Sequence, residues 1–211
     1  IAEMTNGIIL AHFEKETGIQ ETAYQSEAEL ENKMIENLIS QGYERIVIKS
    51  NSDLYTNLKT QIEKLNDVTF SEDEWNRFLK EYLDVPNEGI IEKTRKIQEN
   101  HIYDFIFDDG HLKNIKIIDK KNIHNNFVQV TNQVWGEGKS RNRYDVTVLV
   151  NGLPLVHIEL KKRGVNMHEA FNQIHRYSKE SFNSGNSLYK YVQLFVISNG
   201  TYTRYFANTT A

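Results

Sequence analysis

Between residues 143 and 162 the chain reads Arg143-Tyr-Asp-Val-Thr-Val-Leu-Val-Asn-Gly-Leu-Pro-Leu-Val-His-Ile-Glu-Leu-Lys-Lys162. Two carboxylates and an ammonium in this stretch form a set able to hold a divalent cation against a phosphodiester. The pattern is two apolar strands around a tight turn. Side chains alternate along a strand, so Asp145 shares a face with Thr147 and Leu149, and Glu159 and Lys161 share one with Leu155 and His157.

Whether the carboxylates meet is a question of parity. A two-residue turn at Asn151-Gly152 pairs Val150 with Leu153, places Asp145 opposite Ile158 and sends the acids to opposite faces. A three-residue loop, Asn151-Gly152-Leu153, pairs Val150 with Pro154 and Asp145 with Glu159, and is therefore expected. Gly152 suits the left-handed residue of such a loop, and Pro154 is tolerated as the first residue of a strand. Opposed Cβ atoms lie about 4.5–5.5 Å apart. Bare carboxylates at that distance repel, whereas Mg²⁺ takes one or two carboxylates together with water and substrate phosphate. Lys161 can orient the attacking water or offset charge developing at phosphorus. The plain alternative is a half-buried hairpin whose Glu159 and Lys161 are solvated.

The elements that follow supply positions for more polar groups. Met167 to Ser181 reads as a helix with Met167, Ala170, Phe171 and Ile174 on an apolar stripe. Glu169, Gln173 and Tyr177 fall on another face at i, i+4, i+8. Two further strands, Tyr191–Ser198 and Thr201–Ala207, surround Asn199-Gly200. Strand, strand, helix, strand predicts a small α/β core with the acidic site at one edge.

Taken together, Asp145, Glu159-Leu160-Lys161 and Gln173-Ile-His-Arg-Tyr177 resemble the PD-(D/E)XK nucleases that carry an additional Gln-x-x-x-Tyr motif. The wording of residues 140–208 is similar to the N-terminal nuclease domain of the restriction (motor) subunit of type I restriction–modification enzymes; the first 110 residues match loosely. The resemblance implies an α/β, restriction-endonuclease-like core, a mixed central sheet flanked by helices, with an N-terminal helical elaboration. It implies Asp145 and Glu159 as metal ligands, the Leu160 backbone carbonyl as a further one, Lys161 as the catalytic lysine, and Gln173 and Tyr177 as supports of the site or contacts to DNA. The cofactor implied is Mg²⁺, with Mn²⁺ as substitute, and ATP enters only through a motor beyond Ala211. The expected substrate is double-stranded DNA. The modification and specificity subunits would be partners through the full-length chain, in the cytoplasm. This superfamily often adds an acid from an N-terminal helix. The helix Glu27 to Gln41, entered by Ser26, offers Glu31 on a stripe with Leu30, Met34, Ile35 and Leu38, although a solvated glutamate is the more ordinary outcome. A catalytically silent DNA-binding or assembly module, and a stand-alone repair or junction nuclease, are the alternatives. Retention of Asp145, Glu159 and Lys161 argues against the first, and the wording of 140–208 against the second.

Composition suits an intracellular globular protein. The 211 residues, 39% of them hydrophobic, include no cysteine, so neither a disulfide framework nor a thiolate metal site is available. No apolar run reaches membrane-spanning length. A single nuclease domain over 1–211 is expected, helix-rich and acidic up to residue 110 and catalytic from 111, as a piece of a longer subunit. The net charge of −4 conceals an asymmetry: residues 1–110 hold 11 basic and 23 acidic side chains, residues 111–211 hold 14 and 6. The basic excess gathers around the motifs at Lys139, Arg141, Arg143, Lys161, Lys162, Arg163 and Arg176, of which Lys162, Arg163 and Arg176 are candidate DNA contacts.

Elsewhere the pattern predicts a strand at Tyr43–Ile48 and helices at Asp53–Asn66, Ser71–Tyr82 and Asn87–Glu99. Ser71 and Glu74 form a capping box. Three more strands are expected at Tyr103–Phe107, Leu112–Ile118 and Phe127–Val134. Gly138-Lys139-Ser140 imitates the end of a phosphate-binding loop, but Gln133 occupies the required first glycine. His168 and His175 are seven apart, too far for a helical metal pair.

Overall fold

Three helices begin where a serine precedes an acid by three residues. Ser26 with Glu29, Ser50 with Asp53 and Ser71 with Glu74 each form a reciprocal capping box that satisfies two end N–H groups. They open α1 (Glu27–Ser40), α2 (Asn51–Asn66) and α3 (Glu72–Phe78). After α3 the helix widens into one π-helical turn, Leu79–Leu83, and α4 follows at Ile90–Gln98. The computed structural model describes residues 2–4, 7–14, 26–135, 143–177 and 188–208, with backbone alone for 2–14, 134–135, 143 and 175–177.

The strands are β1 (Ala2–Met4), β2 (Gly7–Glu14), β3 (Glu44–Arg45), β4 (Ile102–Ile106), β5 (Leu112–Lys116), β6 (Val128–Trp135), β7 (Arg143–Val150), β8 (Leu153–Leu160), β9 (Leu194–Ser198) and β10 (Tyr202–Ala207); α5 (Met167–Tyr177) lies between β8 and β9. Among the described residues eight strands form one mixed sheet in the order β1-β2-β10-β9-β8-β7-β6-β3, and β4-β5 pair as a separate hairpin. Within the large sheet β8–β9 and β3–β6 run parallel. The β8–β9 step needs a crossover, which contains α5. A mixed sheet flanked by helices is the restriction-endonuclease-like core expected above. The acidic hairpin lies in the middle of that sheet, not at its edge as expected, because β9, β10 and the N-terminal strands extend it beyond β8.

Among the described residues apolar side chains form two cores. In the smaller, Leu30 and Ile35 of α1 meet Val130, Val146, Val148, Ile158 and Leu160. In the larger, Leu54, Leu58 and Ile62 of α2 join Leu149 and Leu153 of the hairpin and the aromatic cluster of α3 with the β4-β5 hairpin, while Met167, Ala170 and Ile174 of α5 meet Phe195, Ile197 and Phe206. The stripe expected on α5 is the one buried. Trp75 is a core residue.

The turn between β7 and β8 differs from the expectation, and so does the route to the register. Val150 pairs with Leu153, so the loop is the two-residue Asn151-Gly152. Both residues are left-handed, with φ of 51° and 82°, as the twist of a hairpin favours. The pairing then shifts: Leu149 faces Pro154 but Val148 faces Val156, leaving Leu155 as the extra residue of a bulge on β8. Beyond the bulge Val146 faces Ile158, and the next pair in line is Asp145 and Glu159. Parity required one additional residue; it sits inside the strand rather than in the turn.

Asn151 explains why the turn is short. Its side chain is buried, donating to the Ile117 carbonyl (3.0 Å) and Asn126 Oδ1 (2.7 Å) and accepting from the Phe127 N–H (2.8 Å). Gly152 lies under α2, where a Cβ would come within 2.6 Å of Leu58 Cα. Replacing Gly152 by Ala combines left-handed strain with a backbone clash, and is expected to cost about 2–4 kcal/mol. A urea midpoint within experimental error of the parent would contradict this packing.

Candidate active site

Asp145 enters near the start of β7, and Glu159 and Lys161 lie at and just beyond the end of β8, so all three gather at one end of the central strands. Asp145 Oδ2 accepts the Leu160 N–H at 2.9 Å. Glu159 is fully buried. Its Oε1 receives the Lys161 ammonium at 2.8 Å, and the same ammonium lies 3.3 Å from the Leu160 carbonyl oxygen. Glu159 Oε2 is buried and accepts no hydrogen bond among the described residues. His157 Nε2 lies 3.5 Å from it. His157 is itself fully buried, edge-on to Tyr144 and Phe195 with ring centroids 5.5 and 6.2 Å away.

Charge is crowded here. Burial first, and then the Glu159 carboxylate, push Asp145 up to about 7; the Leu160 N–H and Lys161 act against that rise, and Glu31 adds to it. For Lys161, burial acts to lower the pKa, but Glu159 and Asp145 outweigh it and the ammonium is held above its ordinary range. One lysine thus faces two acids, Glu159 buried and Asp145 half-buried, and the acid not bonded to it retains its proton toward neutrality.

Glu31 corrects the expectation of a solvated side chain. It is buried at 3% exposure, because α1 lies across β6, β7 and β8 with Leu30 and Ile35 as its apolar contacts. Its Oε1 accepts from Asn132 Nδ2 at 2.7 Å, so it adds negative charge to the site while its own partner is an amide. Glu27, one turn earlier on α1, contributes to the field at Lys161. Glu27 and Asn132 are site neighbours that the sequence reading missed. The i, i+4 spacing of Glu27 and Glu31 was the available signal for Glu27; Asn132 carried none.

Gln173 is half-buried on α5, which packs beside β8 and β9. Tyr177 is the last residue of α5, and its side chain, like that of Arg176, lies outside the described residues. Lys162 is exposed and Arg163 half-buried in the turn leaving β8. Lys139, Arg141 and the phosphate-loop imitation at 138–140 fall outside the described residues, and His168 is exposed.

Among the described residues no three His, Asp or Glu side chains converge as a ready cage for a metal ion. The donor set is two carboxylates and a backbone carbonyl. A hard cation that keeps several waters fits such a set. Glu159 Oε2, buried without a hydrogen bond among the described residues, and the raised Asp145 are what its charge would relieve.

A mixed sheet with paired acids and a lysine at the ends of its central strands is the framework of a restriction-endonuclease-like protein. The chain belongs to the family described as type I restriction enzyme R protein N terminus, whose sequence profile matches residues 24–211. It is 56% identical over 211 residues to the type I restriction enzyme EcoprrI endonuclease subunit of Escherichia coli, covering all of this chain and 67% of that protein. It is 40% identical over 191 residues to the SauMSSORF170P endonuclease subunit of Staphylococcus aureus strain MSSA476, covering 88% of this chain and 20% of the other. A more distant relative, the putative MjaVIIIP endonuclease subunit of Methanocaldococcus jannaschii, is 30% identical over 124 residues, 56% of this chain and 11% of that one. The chain therefore corresponds to the N-terminal nuclease region of such subunits and spans only a fifth of the staphylococcal relative. Among the described residues no helix is long and apolar enough to cross a membrane.

The raised Asp145 has a consequence for stability. On unfolding its pKa falls from about 7 toward 3.8, so between these values the folded state holds a proton that the unfolded state has lost. Stability from this group is full below about pH 4, declines as pH rises to about 7, and then levels, a loss on the order of 2–4 kcal/mol. In chelator, Asp145→Asn, which keeps an acceptor for the Leu160 N–H, should flatten that part of the curve and raise stability at pH 8. Urea melts from pH 4 to 8 that slope equally in both proteins would contradict the assignment.

Proposed function

We propose that this chain is the Mg²⁺-dependent endonuclease part of a type I restriction enzyme and hydrolyses phosphodiester bonds of double-stranded DNA. The observation that carries the reading is the pairing of half-buried Asp145 with fully buried Glu159, with Lys161 Nζ 2.8 Å from Glu159. Two acids with so little compensation cost stability, and a divalent cation on a phosphate ligand is the partner that makes the arrangement favourable. Asp145, Glu159 and the Leu160 carbonyl would hold the ion, with Mn²⁺ as substitute. When bound, the ion acidifies a water and neutralises charge on the phosphoryl oxygens.

The protein's own groups do the remainder. Lys161, tethered by Glu159, orients the attacking water and offsets charge at phosphorus as the 3′-oxygen departs. Gln173 and Tyr177, on the helix beside β8, support the carboxylates or contact the strand being cut. Glu31 deepens the negative potential behind Asp145 without entering the ligand set. Lys162, Arg163 and Arg176 would supply contacts to the DNA backbone. Choice of site, the ATP-driven motor, and docking to modification and specificity subunits belong to the rest of the subunit and its complex, in the cytoplasm. The wording of the relatives' names, endonuclease subunit, supports this reading.

Calorimetric titration of Mn²⁺ into the chain tests it. Binding in the parent that vanishes in both Asp145→Ala and Glu159→Ala is the expected result. Parent protein that takes up no Mn²⁺ even with a short duplex present would favour a silent module instead. In the assembled enzyme Lys161→Ala should lower cleavage at least about a hundredfold while Mn²⁺ still binds, and full cleavage by that variant would refute the mechanism.

A further inference from the structure

Beside the acidic site lies a second feature of opposite sign. A cleft of about 660 Å³ opens where the turn after β8 meets the β9–β10 turn, and Arg163, Asn166, Asn199, Thr201, Tyr202 and Arg204 line it. Both arginines are half-buried, while Thr201 and Tyr202 are exposed. Among the described residues that line it there is no carboxylate. In a chain with net charge −4, two guanidiniums brought to one cleft from separate elements mark a place for an anion.

The walls are fixed from within. Asn199 is buried; its Nδ2 donates to the Val165 carbonyl at 3.0 Å, joining the β9–β10 turn to the segment after β8, and its Oδ1 accepts the Thr201 and Tyr202 N–H groups at 3.1 and 2.8 Å. Arg204 is held at its height by strand pairing, opposite Ile197 of β9. Arg163 follows Lys161 by two residues, and the Lys161 N–H bonds the Ser198 carbonyl, next to Asn199, at 2.8 Å. Lys161 and Arg163 are thus at most about 7 Å apart along the backbone, so the cleft begins two residues beyond the proposed catalytic lysine.

We infer that this cleft, through Arg163 and Arg204, grips a DNA backbone phosphate next to the one to be cut. The inference rests on the nuclease reading for the identity of its ligand and extends it to a subsite that includes Arg204, on a strand distant in sequence from the acidic hairpin. Arginine's planar fork matches phosphate oxygens in pairs, and the Thr201 and Tyr202 hydroxyls add neutral donors. Such contacts position a duplex without reading its bases, which suits a nuclease part whose target is chosen elsewhere.

The test is fluorescence anisotropy of a labelled duplex with the chain in chelator, so that no metal contributes, over a range of chloride concentrations. Arg163→Gln and Arg204→Gln should each weaken binding on the order of tenfold at low salt and make the log–log salt dependence shallower by about 0.9. Arg204→Lys, which keeps the charge but loses the paired donors, should bind between the parent and Arg204→Gln and keep the parent's salt slope. Unchanged Mn²⁺ titration and melting temperature in the glutamine variants would show that fold and acidic site are intact. Variants that bind like the parent, or a parent without affinity for duplex at low salt, would overturn the proposal. So would displacement of DNA by inorganic phosphate beyond that by chloride at matched ionic strength, which would make this a site for a free anion. Failure of the metal reading is seen separately, in the Mn²⁺ titration, and does not alter the anisotropy comparison.

Discussion

Two carboxylates held on neighbouring central strands, one of them without any exposure, are the constraint around which the rest of this molecule is arranged. Asp145 and Glu159 cannot both be ionised comfortably with one lysine between them, and the folded chain relieves the conflict by keeping a proton on Asp145 toward neutrality. A fold selected for stability alone would place an apolar pair at this position. The neighbourhood worsens the conflict, since α1 brings Glu31 behind Asp145. Negative charge concentrated against burial is what a bound cation would relieve, and this is the ground on which the acidic end of the sheet is proposed as the site of function rather than an incidental polar patch.

Bringing the acids opposite one another depends on register, and the register depends on two features far from the acids. The Asn151-Gly152 turn starts the hairpin in the wrong parity for a joint site, and the bulge at Leu155 restores it. The turn is locked by its surroundings: Asn151 ties it to Ile117, Asn126 and Phe127, and Gly152 lets α2 approach until Leu58 Cα leaves no space for a methyl group. A bulge inside a strand re-aims every side chain beyond it. The position of α2 and the aim of Glu159 are therefore linked through one short hairpin.

Much of this was legible in the sequence wherever local chemistry decides the outcome. Serine-acid pairs located the starts of α1 and α3, the alternation in 143–162 located β7 and β8, and the apolar stripe from Met167 located the buried face of α5. The bulge was legible only as a parity requirement, because a bulge without glycine leaves no mark in composition and Leu155 is an ordinary strand residue. The placement of Glu31 was hidden for a different reason: a glutamate on the margin of an apolar stripe faces in or out according to what lies beneath it, and Asn132 is far away in sequence. The strands at 2–14 were missed because their partner, β10, lies at the opposite end of the chain. Buried Lys93, which reaches the Leu83 carbonyl and Glu88, likewise looks from the sequence like any surface helix lysine.

The division of charge along the chain gains meaning from the position of α1. This helix is the acidic half's contribution to the catalytic half. It presents Glu31 to Asn132 and the Asp145 field, while Leu30, its neighbour, packs so closely on the β9–β10 turn that a Cβ at Gly200 would meet Leu30 Cδ2 at 2.9 Å. That turn forms one wall of the arginine-lined cleft. A single rigid helix, capped at Ser26, therefore touches both the negative end of β7 and β8 and the frame of the positive cleft beside it. The two sites need opposite potentials within a few residues of each other, and in water such fields would blur over roughly a Debye length of 8–10 Å. Burial keeps them distinct: the acids lie inside the sheet, where the effective dielectric is low, and the arginines line an open cleft, where phosphate can arrive. The acidic composition of residues 1–110 thus does more than maintain solubility, because through α1 it sharpens the contrast between a site that would bind a cation and a groove that would bind its phosphate.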